Sequence, residues 1–327
     1  MRADLHLHSY HSGYANHLAF LRARDCYSEP EAVYAVAKAR GMDLVTFTDH
    51  DRIDGCLELL DRHPDARDFF ISEEIECHFP DANLKVHVAA YDISERIHGE
   101  VRRLVDNVVD VAEYLRSEGV FYALNHPFFL FHGELPLHEY LRRIQELFPA
   151  VEVRNGTMLE AQNGLAQEIV NRSIATGGRV VTGIGGSDSH TLSGIGTTYT
   201  EAPGSTREEF LQSLRSGRGC AGGRHGSVWR ESREIYGVVG QYWRELLGAG
   251  RRDLSWGRRA VGLAFSIVSM PFEWSPLVVA ALHKRSERAR MDRYEREWRD
   301  LREVSVDPTT ACEEPGMTAS AATEAIR

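Results

Sequence analysis

Asp4-Leu5-His6-Leu7-His8-Ser9 closes the first short apolar run of the chain, and the fold turns on it. In an extended backbone His6 and His8 point to the same side, so two imidazoles can meet one ion. That run covers 3–7, and a second, 43–48 (DLVTFT), stops in Thr48-Asp49-His50-Asp51. A third, 69–75, carries Glu73-Glu74; a fourth, 86–91, carries His87; a fifth, 120–125, ends in Asn125-His126-Pro127. The sixth, 150–154, reaches Arg154-Asn155, and the seventh, 179–184, runs into Gly185-Gly186-Ser187-Asp188-Ser189-His190. Imidazoles and carboxylates at the C-terminal ends of successive strands form the donor set of a polynuclear Zn, Mn or Fe site. A lone strand histidine is more often a packed residue, and TDHD and GSDSH also read as capping turns. The repetition of such endings in strand order favours the metal site. For Asp49, Asp51 and Glu73, structural and catalytic roles stay equally open.

Between these runs lie helical patterns. Ser28-Glu29-Pro30-Glu31 predicts a helix start with a capping serine, and Gly41 a stop. Residues 100–118 repeat apolar positions at three and four up to Gly119, and further helices are predicted over 136–148, 160–176 and 206–217. Strand–helix alternation predicts a parallel sheet with helical crossovers, and donors at every strand end favour its closed form, a barrel.

The chain has 327 residues and a formal net charge of −10. That excess of acid argues against a general nucleic-acid coat protein, and no stable binding of duplex nucleic acid is expected. Five scattered cysteines, none in a CxxC pair, supply neither a disulfide framework nor a zinc ribbon. MRADLHLHS shows no apolar signal core, so a cytoplasmic location is the expectation.

Beyond residue 220 the texture changes. GCAGGRHGS reads as a linker, 227–250 as helix, and 260–282 as an apolar run interrupted by Pro271, Glu273 and Pro276. Two short buried helices joined by a turn fit that run better than one membrane span, although Arg258-Arg259 and Lys284-Arg285 flank it and peripheral membrane contact through 260–282 stays open. Residues 283–303 predict a charged helix. The organisation expected is 1–220 as the barrel, 221–304 as a helical extension and 305–327 as a disordered tail.

In order across residues 3–220, DLHLHS, TDHD, Ser72-Glu73-Glu74, the His87 strand, NHP, GSDSH and TYTEAPG resemble the PHP (polymerase and histidinol phosphatase) superfamily. The resemblance implies a distorted (β/α)7 barrel with two or three divalent ions (Mn, Zn or Fe) at its C-terminal rim. It implies His6, His8, Glu74 and Asp188 on one ion, with Glu74 bridging to a second held by His87 and His126. His50 and His190 would serve a third, whose last ligand usually follows the HxH motif by a few residues. That register falls here on Gly13 or Tyr14, with His17 or His11 as replacement. Glu74, Asp188 and His190 would be catalytic. Arg154 and Asn155 are candidates for substrate phosphate or sugar, with Arg22, Arg24 and Lys85 behind them, and a structural role for the Arg154-Asn155 pair is equally open.

The expected activity is a metal-dependent phosphoesterase acting on nucleotides, short oligonucleotides or small phosphorylated metabolites. A metal-dependent C–N hydrolase of amidohydrolase type and a non-catalytic, metal-bound scaffold with a membrane- or partner-binding C-terminus are the alternatives. The aromatic stretch 127–140 could stack on a base, although packing beneath a loop suits Phe128, Phe129 and Phe131 better.

Overall fold

Strand formation begins at once with β1 (Arg2–Asp4), followed by α1 (Pro30–Ala39), β2 (Leu44–Phe47) and α2 (Asp54–Arg62). The computed structural model describes residues 1–14, 21–251, 254–269, 271 and 275–304. A long hairpin, β3 (Phe69–Phe79) and β4 (Leu84–Tyr91), leads into α3 (Glu95–Val101), α4 (Val108–Ser117) and β5 (Phe121–Leu124). Then come α5 (Leu137–Leu147), β6 (Ala150–Asn155), α6 (Glu160–Thr176) and β7 (Thr182–Gly186). The remainder is β8 (Thr198–Glu201), α7 (Arg207–Arg215), β9 (Cys220–Gly223), α8 (Val228–Leu246), α9 (Trp256–Ser269) and α10 (Ser275–Val304).

The strands order as β7-β6-β5-β4-β3-β2-β1-β8-β9, and a parallel bridge from Leu7 to Ser189 brings the ends of β1 and β7 together. His6 O accepts from Asp188 N at 2.8 Å across that seam. A Cβ on Gly186 would lie 2.2 Å from His6 Cβ and 2.6 Å from His6 N, so only glycine lets β7 approach this closely. The result is a nearly closed α/β barrel with a helical C-terminal region.

The sheet is not uniformly parallel. β4 pairs antiparallel with both β3 and β5, because only residues 80–83 join β3 to β4 and four residues cannot make a crossover. β8 is antiparallel to β1, and β9 to β8, so the Gly-rich segment expected to be a linker supplies a strand. The helix expected over 100–118 is two helices, α3 and α4. Asn107 ends the first turn sequence and starts the second helix by accepting from Val109 N. Glu29, not Ser28, caps α1: Pro30 fixes the start, and the Ser28 carbonyl is taken by Tyr10 N.

Period-two alternation sorts the side chains. Ala89, Tyr91, Phe121 and Ala123 pack inside the barrel with Leu5 and Ile184, closed below by Phe210, Leu211 and Leu214 of α7. Val86, Val88, Tyr122 and Leu124 face outward under α4, α5 and α6, in a core that also takes Met291, Tyr294 and Trp298 of α10. The apolar run 260–282 is divided, as expected, between α9 and α10, but its large apolar side chains are mostly not buried as expected: Val261, Ile267, Val268, Val279 and Leu282 are all more than half exposed, whereas Ala280 is buried. No helix among the described residues is long and apolar enough to cross a membrane.

Candidate metal centre

Alternation along β3 turns Glu74 inward and Glu73 outward, where Glu73 meets His98 Nδ1 at 2.8 Å. Glu74 is fully buried, and its two oxygens face different rings. Oε1 lies 3.1 Å from His87 Nδ1 and 3.0 Å from both His126 Nε2 and Asn125 Nδ2. Oε2 lies 3.0 Å from His50 Nδ1, 3.2 Å from His6 Nε2 and 3.6 Å from His8 Nε2. Across the seam Asp188 Oδ1 stands 3.3 Å from His8 Nε2 and 3.5 Å from His6 Nε2. Asp51, His126 and Asp188 have φ of 54°, 25° and 50°, left-handed conformations that concentrate non-glycine strain on this rim.

The structure therefore gathers His6, His8, His50, Glu74, His87, His126, Asp188 and His190 at one end of the barrel. His17 lies outside the described residues, and His11, its alternative, pairs with Glu58 at 2.7 Å. The residue the sequence reading missed is Asp25. Its carboxylate is 2.8 Å from His190 Nε2 and 3.7 Å from His50 Nε2, and it joins His8, His50 and His190 in one group with converging donor atoms. Asp25 sits seventeen residues beyond His8 and outside any strand, so no strand periodicity marks it.

A second missed residue, Glu152, stands behind the site. It meets His6 Nδ1 at 3.0 Å, fixing which ring nitrogen faces the centre, and accepts from His126 N and Asn155 Nδ2, both at 2.9 Å. Asn155 is buried with its amide committed: Nδ2 donates to Asp188 Oδ2 at 3.1 Å, and Oδ1 accepts from Thr157 N and Oγ1. It orients Asp188 and has no group left for substrate. Arg154 donates to Gly223 O at 3.0 Å and lies beside His225, outside the ring cluster. Arg24 donates to Tyr10 O and stacks on Tyr10, and Lys85 pairs with Glu76. Asp49 accepts from Ser9 N and Oγ, and Asp51 pairs with Arg102 and accepts from Glu76 N, so both tie backbone segments together. Phe128 and Phe131 are core residues, while Phe129 lies edge-on to His126.

Electrostatics show what the centre lacks. Burial pushes Glu74 upward, but the charges of His6, His87 and His50 outweigh it and hold the carboxylate well below its ordinary range. Asp188 is likewise held low against burial, chiefly by His6. Burial opposes charge on His190, yet Asp25 raises it to about 10. Burial, helped by His190 and His50, drives His8 down to about 3. The cluster demands positive charge, and protons on some rings meet that demand only in part. His6 Nε2 and His8 Nε2 are buried without a well-formed hydrogen bond, and Glu74 Oε2 and Asp25 Oδ2 face only imidazole nitrogens, an arrangement a divalent ion would relieve. The residues present fit such ions.

Residues 179–218, from the approach to β7 through α7, match the family model of a PHP-associated segment, PHP_C. That match covers a short part of the chain and agrees with its resemblance to the PHP superfamily. Over 58 residues it is 40% identical to an uncharacterised protein of Methanocaldococcus jannaschii, a stretch that covers 18% of this chain and 33% of that one. The chain thus spans about a third of the curated relative it matches. Among solved structures it is similar to a two-domain protein of Bacteroides vulgatus containing a predicted PHP-like metal-dependent phosphoesterase, with 17% identity, 73% and 69% of the two chains covered and a TM-score of 0.46. It is also similar to an amidohydrolase of Chromobacterium violaceum, with 16% identity, 67% and 97% covered and a TM-score of 0.47.

Proposed function

We propose that this chain is a metal-dependent phosphoesterase acting on nucleotides, short oligonucleotides or small phosphorylated metabolites. The observation that carries the proposal is the convergence of buried imidazole and carboxylate donor atoms on one barrel rim, in a chain whose fold class uses such rims for catalysis. Held by His6, His8, Asp25, His50, Glu74, His87, His126, Asp188 and His190, divalent ions would neutralise a phosphoryl oxygen and make water more acidic. Glu152 keeps His6 in the ligating tautomer, and Asn155 with Thr157 aims Asp188 by holding its Oδ2 at 3.1 and 3.0 Å. His50, His190 and Asp25 are the partly exposed members, with 23–31% of each side chain open, so substrate approaches on their side.

The test is hydrolysis of p-nitrophenyl phosphate and bis-p-nitrophenyl phosphate by metal-stripped protein, titrated with Mn, Zn and Fe. Turnover that rises with added metal is expected, and the preferred compound distinguishes monoester from diester chemistry. Silence on both esters, with ions bound and an amide substrate cleaved, would replace the proposal with C–N hydrolysis.

A further inference from the structure

We infer that the outer face of α9, with the first turns of α10, docks on an anionic lipid surface. On a helical wheel the buried positions of α9, Gly262 and Ser266, fall together, and Leu263 beside them packs with Tyr242, Leu246 and Leu254 and with Leu21, Ala23 and Tyr27 of the segment that carries Asp25. The opposite face would be polar in an ordinary surface helix. Here it presents Val261, Phe265 and Val268, with Val268 73% exposed, and Trp256 and Ile267 stand exposed on the flank beside Leu263, Trp256 at 84%. Val279 and Leu282, in the first turns of α10, are likewise more than half exposed. An outward apolar face this wide marks an interaction surface.

Charge and length identify the occupant. From Leu254 to Ser286 the sequence has four basic residues against the single acid Glu273, in a chain that is otherwise strongly acidic, and two of them, Arg258 and Arg285, are exposed beside the apolar face, while Lys284 is buried. Basic side chains edging an apolar face, with an exposed tryptophan at its start, match the headgroup and acyl layers of an anionic leaflet. A second copy docked on the same face would set the Arg258 and Arg285 edges against their own symmetry mates. At about 1.5 Å per residue, the fourteen residues of α9 reach only about 21 Å, less than the roughly 30 Å hydrocarbon core, so the helix lies in the surface and does not span it.

Sedimentation of the full chain with vesicles of phosphatidylcholine alone, and with about a third phosphatidylglycerol, tests this. Pelleting with the anionic vesicles only is expected, weakened by salt and reduced roughly tenfold or more by Val261→Glu with Val268→Glu, and also by Arg258→Glu with Arg285→Glu. Circular dichroism identical to the parent protein shows that both variants fold. The inference is overturned if the parent stays in the supernatant, or if neither double variant weakens pelleting. A solution dimer that Val261→Glu with Val268→Glu dissociates would also overturn it, assigning the face to a second copy. The vesicle readout is independent of ester hydrolysis, so either proposal can fail alone.

Discussion

Glu74 is the residue on which the rim depends, since its two oxygens face two different ring sets. Gln at this position keeps the shape but removes the negative charge and turns an amide nitrogen toward imidazoles. Glu74→Gln is expected to fold, to lose bound metal and to lose turnover by about 10²–10³-fold or more, read by elemental analysis and kinetics. Metal content and activity like the parent would refute its place in the centre. Asp25→Asn has a narrower expected effect, on the group His8, Asp25, His50 and His190 alone. Its metal titration should show one class of site weakened on the order of 10–100-fold with the rest unchanged. His6, His8, His87, His126, Asp188 and His190 were legible because strand alternation and short motifs place them. Asp25 was not, because it lies outside any strand and its partners are contacts made by folding.

Two strands misread from the sequence share one cause: local pattern does not state which edges meet or in which direction. The run 86–91 has strand character whichever way it runs, and the four-residue connection at 80–83 makes it antiparallel. Cys220–Gly223 has little strand propensity and becomes β9 because β8 offers it an open edge. At the contact of α8 with α10, His283 Nδ1 meets Glu231 Oε1 at 3.1 Å, and that hydrogen bond raises the His283 pKa above its ordinary 6.5. A raised folded value contributes stability that is complete below 6.5 and is lost as pH rises through the folded pKa. The thermal midpoint of the parent should therefore exceed that of His283→Gln most below the ordinary 6.5, and the gap should shrink as pH rises above it. The effect is small, because the pair is partly exposed. A gap independent of pH would show that the pair contributes nothing through its charge.

At the scale of the molecule, the helical C-terminal region is part of the barrel's stability. Met291, Tyr294 and Trp298 are buried in the same core as β4, β5 and β6, and Phe131 stacks between Tyr140 and Tyr294 at ring distances of 4.2 and 5.2 Å. Stripping a large core side chain costs about 3–5 kcal/mol, and truncation after residue 226 strips three at once. That fragment is expected to lose cooperative unfolding or to aggregate, measured by denaturant titration of whatever remains soluble. A fragment as stable as the full chain would show that α10 only leans on the core. Lys284 adds a second tie: its ammonium donates to Thr157 O at 2.8 Å, and Thr157 Oγ1 donates to Asp188.

The sequence by itself determined the strand-helix succession of the barrel and the majority of the rim residues, because period two, short motifs and helix stops are local properties of the chain. Tertiary structure alone decided the direction of β4, the arrival of Asp25, the positioning roles of Glu152 and Asn155 and the outward turn of the apolar face of α9. Each of these depends on which distant surfaces meet, and residue order encodes that only through the packing of the whole fold.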